Sequence, residues 1–134
     1  VYLVDTSVWI DFFKARANPA VQRLKSLLES GLEVGLSAII LQEILQGTSN
    51  QQQFVKYRSY FETQPIYLHP DPVKAAIAAA QIYFDCRRRG ITVRSSNDCL
   101  IAHTAMENGL ILLHNDEDFR RIHKVVKALK ETSG

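Results

Sequence analysis

Cysteine is scarce in this chain, two residues in 134, too few for the disulfide framework that staples small extracellular domains. Cys86 and Cys99 both fall in segments with helical patterning and are expected to be reduced and semi-buried. The histidines, His69, His103, His114 and His123, show no paired ligand spacing, which speaks against a Cys/His zinc site. Long apolar runs are missing too. No stretch approaches the roughly 18 residues of a membrane span, so no membrane association is expected. The opening residues, Val1 to Asp5, lack the basic start and extended apolar core of a secretory leader, and the expected location is the cytoplasm. Internal repeats, low-complexity blocks and linkers are also absent.

What is present is an ordinary globular balance, with 46% hydrophobic and 22% charged residues. A chain of this length buries about two-thirds of its unfolded surface, and a single domain over residues 1–134 is expected. The net charge of +2, from 16 bases and 14 acids, does not by itself mark a polyanion binder. Its distribution says more. Arg87, Arg88, Arg89 and Arg94 cluster, and Arg120, Arg121, Lys124, Lys127 and Lys130 follow with no acid among them. Such clusters fit phosphate contacts. They also fit solvated helix ends, where cations oppose the helix dipole.

Short apolar strands alternate with longer helical patterns, which points to an α/β domain with a largely parallel sheet. Strands are predicted at Tyr2 to Asp5, Val34 to Leu36, Ile66 to Leu68 and Leu110 to Leu113, with an edge strand at Val125-Val126. Helices are predicted from Thr6 or Ser7, from Pro19 to Ser30, from the Ser37 cap through Gln46, and from Gln51 to Glu62. Further helices run from Asp71-Pro72 to Arg89-Gly90, from Ser95 or Ser96 to Gly109, and from Glu117 to Lys124.

Four acids fall at telling places. Asp5 ends the first strand and Asp116 stands just past Leu110–Leu113. Ligands of open parallel sheets bind outside the carboxyl ends of the strands, so two such acids can share one cleft. Both are also ordinary helix N-caps, and the two readings stay open. Asp98 completes the capping-box pattern Ser95-Ser96-Asn97-Asp98. Yet it shares a helical face with Ile101, Ala102, Ala105 and Gly109, which should turn towards the sheet. Glu43 lies mid-helix on the side of Leu36, Ile39, Ile40 and Gly47, where an unpaired carboxylate costs desolvation energy. Gln42 and Gln46 beside it leave an exposed polar stripe as the alternative. Carboxylates gathered in one cleft repel, so some are protonated or a cation holds them together. Oxygen-only ligation without His or Cys suits Mg²⁺ or Mn²⁺.

The segment from Val4 to Asp11 (VDTSVWID) resembles the first motif of PIN-domain ribonucleases, specifically the VapC toxins of toxin–antitoxin pairs. Ser37 to Gly47 (SAIILQEILQG) resembles the second motif, Arg94 to Ala102 (RSSNDCLIA) the third, and Leu112 to Phe119 (LLHNDEDF) the fourth. The blocks come in family order and cover nearly the whole chain. The resemblance implies a PIN-like three-layer sandwich, a mostly parallel sheet flanked by helices, and a metal-dependent endoribonuclease. It implies Asp5, Glu43, Asp98 and Asp116 as catalytic acids, with Asp5, Asp98 and Asp116 as ligands to Mg²⁺ or Mn²⁺. Thr6 and Ser7 would support the first acid by hydrogen bonding, and Asp118 would be an auxiliary acid. Arg94, Arg87, Arg88 and Lys124 are candidate RNA contacts from charge and neighbourhood. Asn97 departs from the apolar residue of the third motif and is assigned to the helix cap.

The implied partners are an RNA substrate (transfer or ribosomal RNA), a cognate antitoxin whose tail fills a hydrophobic groove near the site, and a second copy of the chain. Trp9, Phe12, Phe13, Phe54, Tyr57 and Phe61 either line such surfaces or belong to the core. Two other α/β classes fit poorly. A phosphate-accepting receiver domain wants paired acids after the first strand and a lysine after a later one, whereas Thr6-Ser7 follow Asp5 and no lysine closes Leu110–Leu113. A haloacid-dehalogenase-like phosphatase wants Asp-x-Asp, and Ser7 holds the second slot. The serious alternative is a PIN scaffold that binds RNA or protein without cleaving. The presence of all four acids argues against it, and metal-dependent turnover separates the two.

Overall fold

The computed structural model describes residues 1–134. Its centre is built from β1 (Tyr2–Val4), β2 (Val34–Ser37) and β4 (Ile111–Leu113). Leu3, Val4, Leu36, Leu112 and Leu113 are fully buried, as strands covered on both faces require. Two-residue edges, β3 (Ile66–Tyr67) and β5 (Glu131–Thr132), complete a five-stranded sheet in the order β3-β2-β1-β4-β5. Every pairing is parallel.

Seven helices flank the sheet: α1 (Thr6–Phe13), α2 (Pro19–Glu29), α3 (Ala38–Gln46), α4 (Gln51–Phe61), α5 (Pro72–Arg88), α6 (Ser96–Glu107) and α7 (Glu117–Val125). Their starts follow from local chemistry. Asn18 accepts the Val21 N–H at 3.0 Å ahead of Pro19, Asn50 accepts that of Gln53 at 2.8 Å, and Asp71 accepts those of Val73 and Lys74. Gly109, at φ 63°, turns the chain out of α6 into β4, a backbone shape that disfavours any side chain. No helix is long and apolar enough to cross a membrane.

From β1 the chain steps outward to β2 and β3, then returns to lay β4 on the other side of β1. The connections above β1 and β4 therefore diverge, and a crevice opens between the carboxyl ends of these two strands. Register fixes the heights, since Val4 pairs with Leu113. The residues following both strands thus emerge side by side.

The sequence expectations hold for element type nearly throughout, with one misplaced strand. The edge strand is Glu131–Thr132, whereas Val125 closes α7 and Val126 caps it. The polar pair Glu131-Thr132 carries no strand signal and is extended only because β4 offers partners at Leu112 and Leu113. Both cysteines are free and 1% exposed, buried rather than semi-buried. Burial, chiefly, pushes the Cys99 thiol up to about 12. Among the aromatic residues, Trp9 and Phe61 are core, fully buried and packed edge-to-face at 4.9 Å. Phe12, Phe13 and Tyr57 are partly buried around them, Phe13 and Tyr57 stacked at 4.3 Å.

Candidate metal-binding active site

Asp5, directly after β1, is buried and caps α1: its Oδ2 accepts the Ser7 N–H at 3.0 Å and the Ser7 hydroxyl at 2.6 Å. Asp116 follows β4 and caps α7, its Oδ1 accepting the Asp118 N–H at 3.0 Å. Capping and membership of a shared site are therefore compatible, because each cap occupies one oxygen of the carboxylate. The strand register brings the two turns together, with the Asp5 N–H donating to the Leu113 carbonyl and the Asn115 N–H donating to Ser7 Oγ at 3.0 Å.

Asp98 enters from the first turn of α6 and is 5% exposed. The capping box suggested by its sequence context does not form, since Ser95 makes no side-chain cap bond. Asp98 Oδ2 is instead buried without any hydrogen-bond partner. Glu43 comes from α3, half-buried, and accepts a hydrogen bond from Thr6 Oγ1 at 2.8 Å. Consecutive residues of α1 thus serve two different acids, Ser7 holding Asp5 and Thr6 holding Glu43. The fifth acid, Asp118, is buried and well paired. It accepts from the Arg94 N–H at 2.8 Å, from Arg94 Nε at 3.3 Å and from Arg121 Nη1 at 2.8 Å.

One carboxylate oxygen from each of Asp98, Asp116 and Asp118 lies within 4.8 Å of the others. Repulsion within the set shifts its carboxyls. Burial, followed by repulsion from Asp5, Asp116, Asp118 and Glu43, pushes the Asp98 carboxyl up to about 8. Burial also raises Asp5, with Glu43 and Asp116 adding to it, while the Ser7 hydrogen bonds pull the other way. Burial opposes ionisation of Asp118 too. The Arg121 and Arg94 hydrogen bonds outweigh it there and hold that carboxyl below its ordinary value. An all-oxygen set containing an orphaned, buried carboxylate oxygen fits a hard divalent cation, which would satisfy that oxygen and cancel the repulsion.

The basic candidates divide. Arg94 bridges the acids, its Nη2 reaching Asp116 Oδ1 at 3.1 Å while the side chain stays largely exposed. Lys124 and Arg121 line one hollow with Arg94 and the Gly90–Thr92 turn, beside the acids. Arg87 and Arg88 are not part of it. Arg87 lies over the Tyr83 ring at 5.8 Å and lines the groove between α5 and α6. Arg88 lies over the Phe84 ring at 5.7 Å and lines a separate hollow with Asp85, Arg89 and Val125.

Several supporting residues escaped the sequence reading. Asn115 Nδ2 donates to Asp11 Oδ2 and Asn18 Oδ1, tying the turn after β4 to α1 and the start of α2. His114 is fully buried: its Nδ1 accepts the Asp116 N–H at 3.2 Å, so Nε2 carries the proton and faces Glu131 Oε2. The edge strand β5 thereby helps to set the backbone of Asp116. Only the motif membership of Asp11 and Asn115 could have flagged either, because their partners lie far away along the chain.

A family model described as "PIN domain" matches residues 2–125. The chain is 36% identical over 124 residues to Ribonuclease VapC11 of Mycobacterium tuberculosis, an alignment covering 92% of each protein. Among solved structures it is similar to VapBC-1 from nontypeable Haemophilus influenzae, with a TM-score of 0.73 at 22% identity over 98% of this chain and 96% of that one. VapBC2 from Rickettsia felis, bound to a DNA fragment from its promoter, has a TM-score of 0.72 at 19% identity with the same coverage. At such identities these two structures bear on the fold alone.

Proposed function

The chain belongs to the PIN-domain family, and from that premise we propose that it is a divalent-metal-dependent endoribonuclease, the toxin of a VapBC-type toxin–antitoxin pair. The observation that carries this reading is the unpartnered, buried Asp98 oxygen, set among four further acids at the crevice between β1 and β4. A folding core gains nothing from such a group. A site that must hold a cation does.

Asp5, Asp98 and Asp116 are the residues that would hold Mg²⁺ or Mn²⁺, with Glu43 completing the acidic wall. Bound there, a divalent cation supplies positive charge that polarises the attacking water and offsets the charge developing on the scissile phosphate. Ser7 orients Asp5, and Thr6 keeps Glu43 turned towards the same pocket. His114 and Asn115 hold the backbone from which Asp116 projects. Asp118 acts on Arg94 and Arg121 more than on the cation, because both guanidinium groups are already bonded to it. Arg94, Arg121 and Lys124 give RNA phosphates a place to lie next to the acids.

The antitoxin segment is assigned to the groove between α1, α3 and α4, where Ile10, Phe13, Ile44 and Tyr57 form an apolar lining. The second copy is assigned to α5. Val73, Ile77, Ala80 and Phe84 repeat at helical spacing on its outer side, and Val73, Ile77 and Phe84 are 68%, 64% and 47% exposed.

The deciding experiment incubates purified protein with a mixed RNA pool, transfer RNA included, in Mg²⁺, Mn²⁺ or EDTA. Wild type is expected to make discrete cuts only with metal. Asp5→Asn and Asp98→Asn are expected to lose roughly 100-fold or more of that rate while unfolding cooperatively. Intact RNA under every condition, with folded protein that still binds it, would replace this reading with that of a non-cleaving RNA-binding scaffold.

A further inference from the structure

On the side of α6 away from the acids, His103 and Glu107 stand one helical turn apart, with Nε2 and Oε2 separated by 2.7 Å. His69, from the connection between β3 and α5, lays its ring against that of His103, with centroids 5.9 Å apart and planes 25° off parallel. A ring nitrogen of each histidine and a carboxylate oxygen of Glu107 all lie within 4.8 Å of one another. We propose that His69, His103 and Glu107 form a second metal site, for a borderline transition ion such as Zn²⁺, chemically distinct from the all-oxygen site.

The state of His69 supports this. Thr104 has one hydroxyl proton and donates it to the Leu100 carbonyl at 2.9 Å. The same oxygen lies 3.3 Å from His69 Nε2, so that ring nitrogen is anchored to α6 by a hydrogen bond. His69 Nδ1 is buried and has no hydrogen-bond partner. A neutral imidazole whose other nitrogen is anchored by a hydrogen bond is the form that ligates metals. An ordinary helical His–Glu pair would account for His103 and Glu107. It does not account for a third residue brought from another element with an unsatisfied nitrogen.

Two imidazoles and a carboxylate make the donor set that zinc accepts, and three protein ligands leave a fourth position open. The four histidines reveal nothing of this by spacing, because His69 reaches α6 only through the fold. Occupied, the site would pin the β3–α5 connection to the C-terminal half of α6, the helix whose first turn carries Asp98.

The test uses chelator-stripped Asp5→Asn/Asp98→Asn protein, in which the acidic site is disabled, titrated with Zn²⁺ by calorimetry and with Co²⁺ by visible absorption. One Zn²⁺ per chain is expected, together with a Co²⁺ spectrum showing nitrogen ligation. Adding His69→Ala should weaken Zn²⁺ binding roughly 100-fold and abolish the Co²⁺ bands, with Glu107→Gln as a second, milder variant on a more exposed side chain. Failure of the double variant to bind Zn²⁺, or equal affinity after His69→Ala and Glu107→Gln, would overturn the site. Neither result depends on whether the acidic site cleaves RNA.

Discussion

Asp98, buried among other acids, is held far from its behaviour in a free chain. Its folded carboxyl titrates near 8 against an ordinary value of 3.8. Between those values the folded state holds a proton that the unfolded chain has released, so rising pH favours unfolding. The Asp98 contribution to stability is complete below about pH 4, is lost progressively through pH 8, and is constant above it. Asp5 is shifted in the same direction. Asp118, lowered instead, contributes with the opposite sign at the acid end and confers stability that is lost as pH falls through its depressed value. Metal-free protein in EDTA should therefore show a lower thermal midpoint at pH 8.5 than at pH 6. The difference should shrink in Asp98→Asn and when Mn²⁺ is restored. Equal midpoints at the two pH values in EDTA would contradict a strongly coupled acid cluster.

Among the elements, β2 decides where Glu43 sits. Gly35 pairs with Leu3 on one side, while on the other it meets the chain entering β3. A Cβ built at Gly35 would lie 2.7 Å from the Pro65 carbonyl oxygen and 2.6 Å from the Tyr67 ring. The carbonyl is backbone, itself bonded to the Leu36 N–H, and has little room to yield. Gly35→Ala is expected to cost about 1–3 kcal/mol, read as a lower urea midpoint with an unchanged slope. An unchanged midpoint would mean that β3 yields freely. Immediately beyond β2, Ser37 caps α3, so the strand end and the helix carrying Glu43 move as one unit. Most helix starts were legible at this scale because a nearby side chain satisfies the first backbone N–H groups, α6 with its unbonded Ser95 being the exception. The strand β5 was not legible, because Glu131-Thr132 is extended only by virtue of its neighbour.

At the scale of the molecule, the fold leaves the apolar stripe of Val73, Ile77 and Phe84 on α5 uncovered. If a second copy covers it, light scattering at tens of micromolar should give twice the 15.2 kDa chain mass. Ile77→Glu should return the protein to a monomer, since a charge buried without a partner in an apolar interface costs several kcal/mol. Persistence of the dimer in Ile77→Glu would place the contact elsewhere. Ile77 is 64% exposed within one chain, so this substitution should leave the chain's own stability nearly untouched.

The sequence by itself determined the order of the elements through α7 and most helix starts, and it singled out four acids as candidates, because patterning and capping act over a few neighbouring residues. It also determined that Asp5 and Asp116 sit at strand ends. Local sequence does not decide whether those acids are only caps; the in-register pairing of β1 with β4 turns two separate ends into one crevice. The isolation of Asp98 Oδ2, the pairing of Glu43 with Thr6 and the meeting of His69 with His103 were decided by tertiary structure alone. The physical reason is that desolvation and mutual repulsion depend on what surrounds a charge, and those surroundings come from segments far away along the chain.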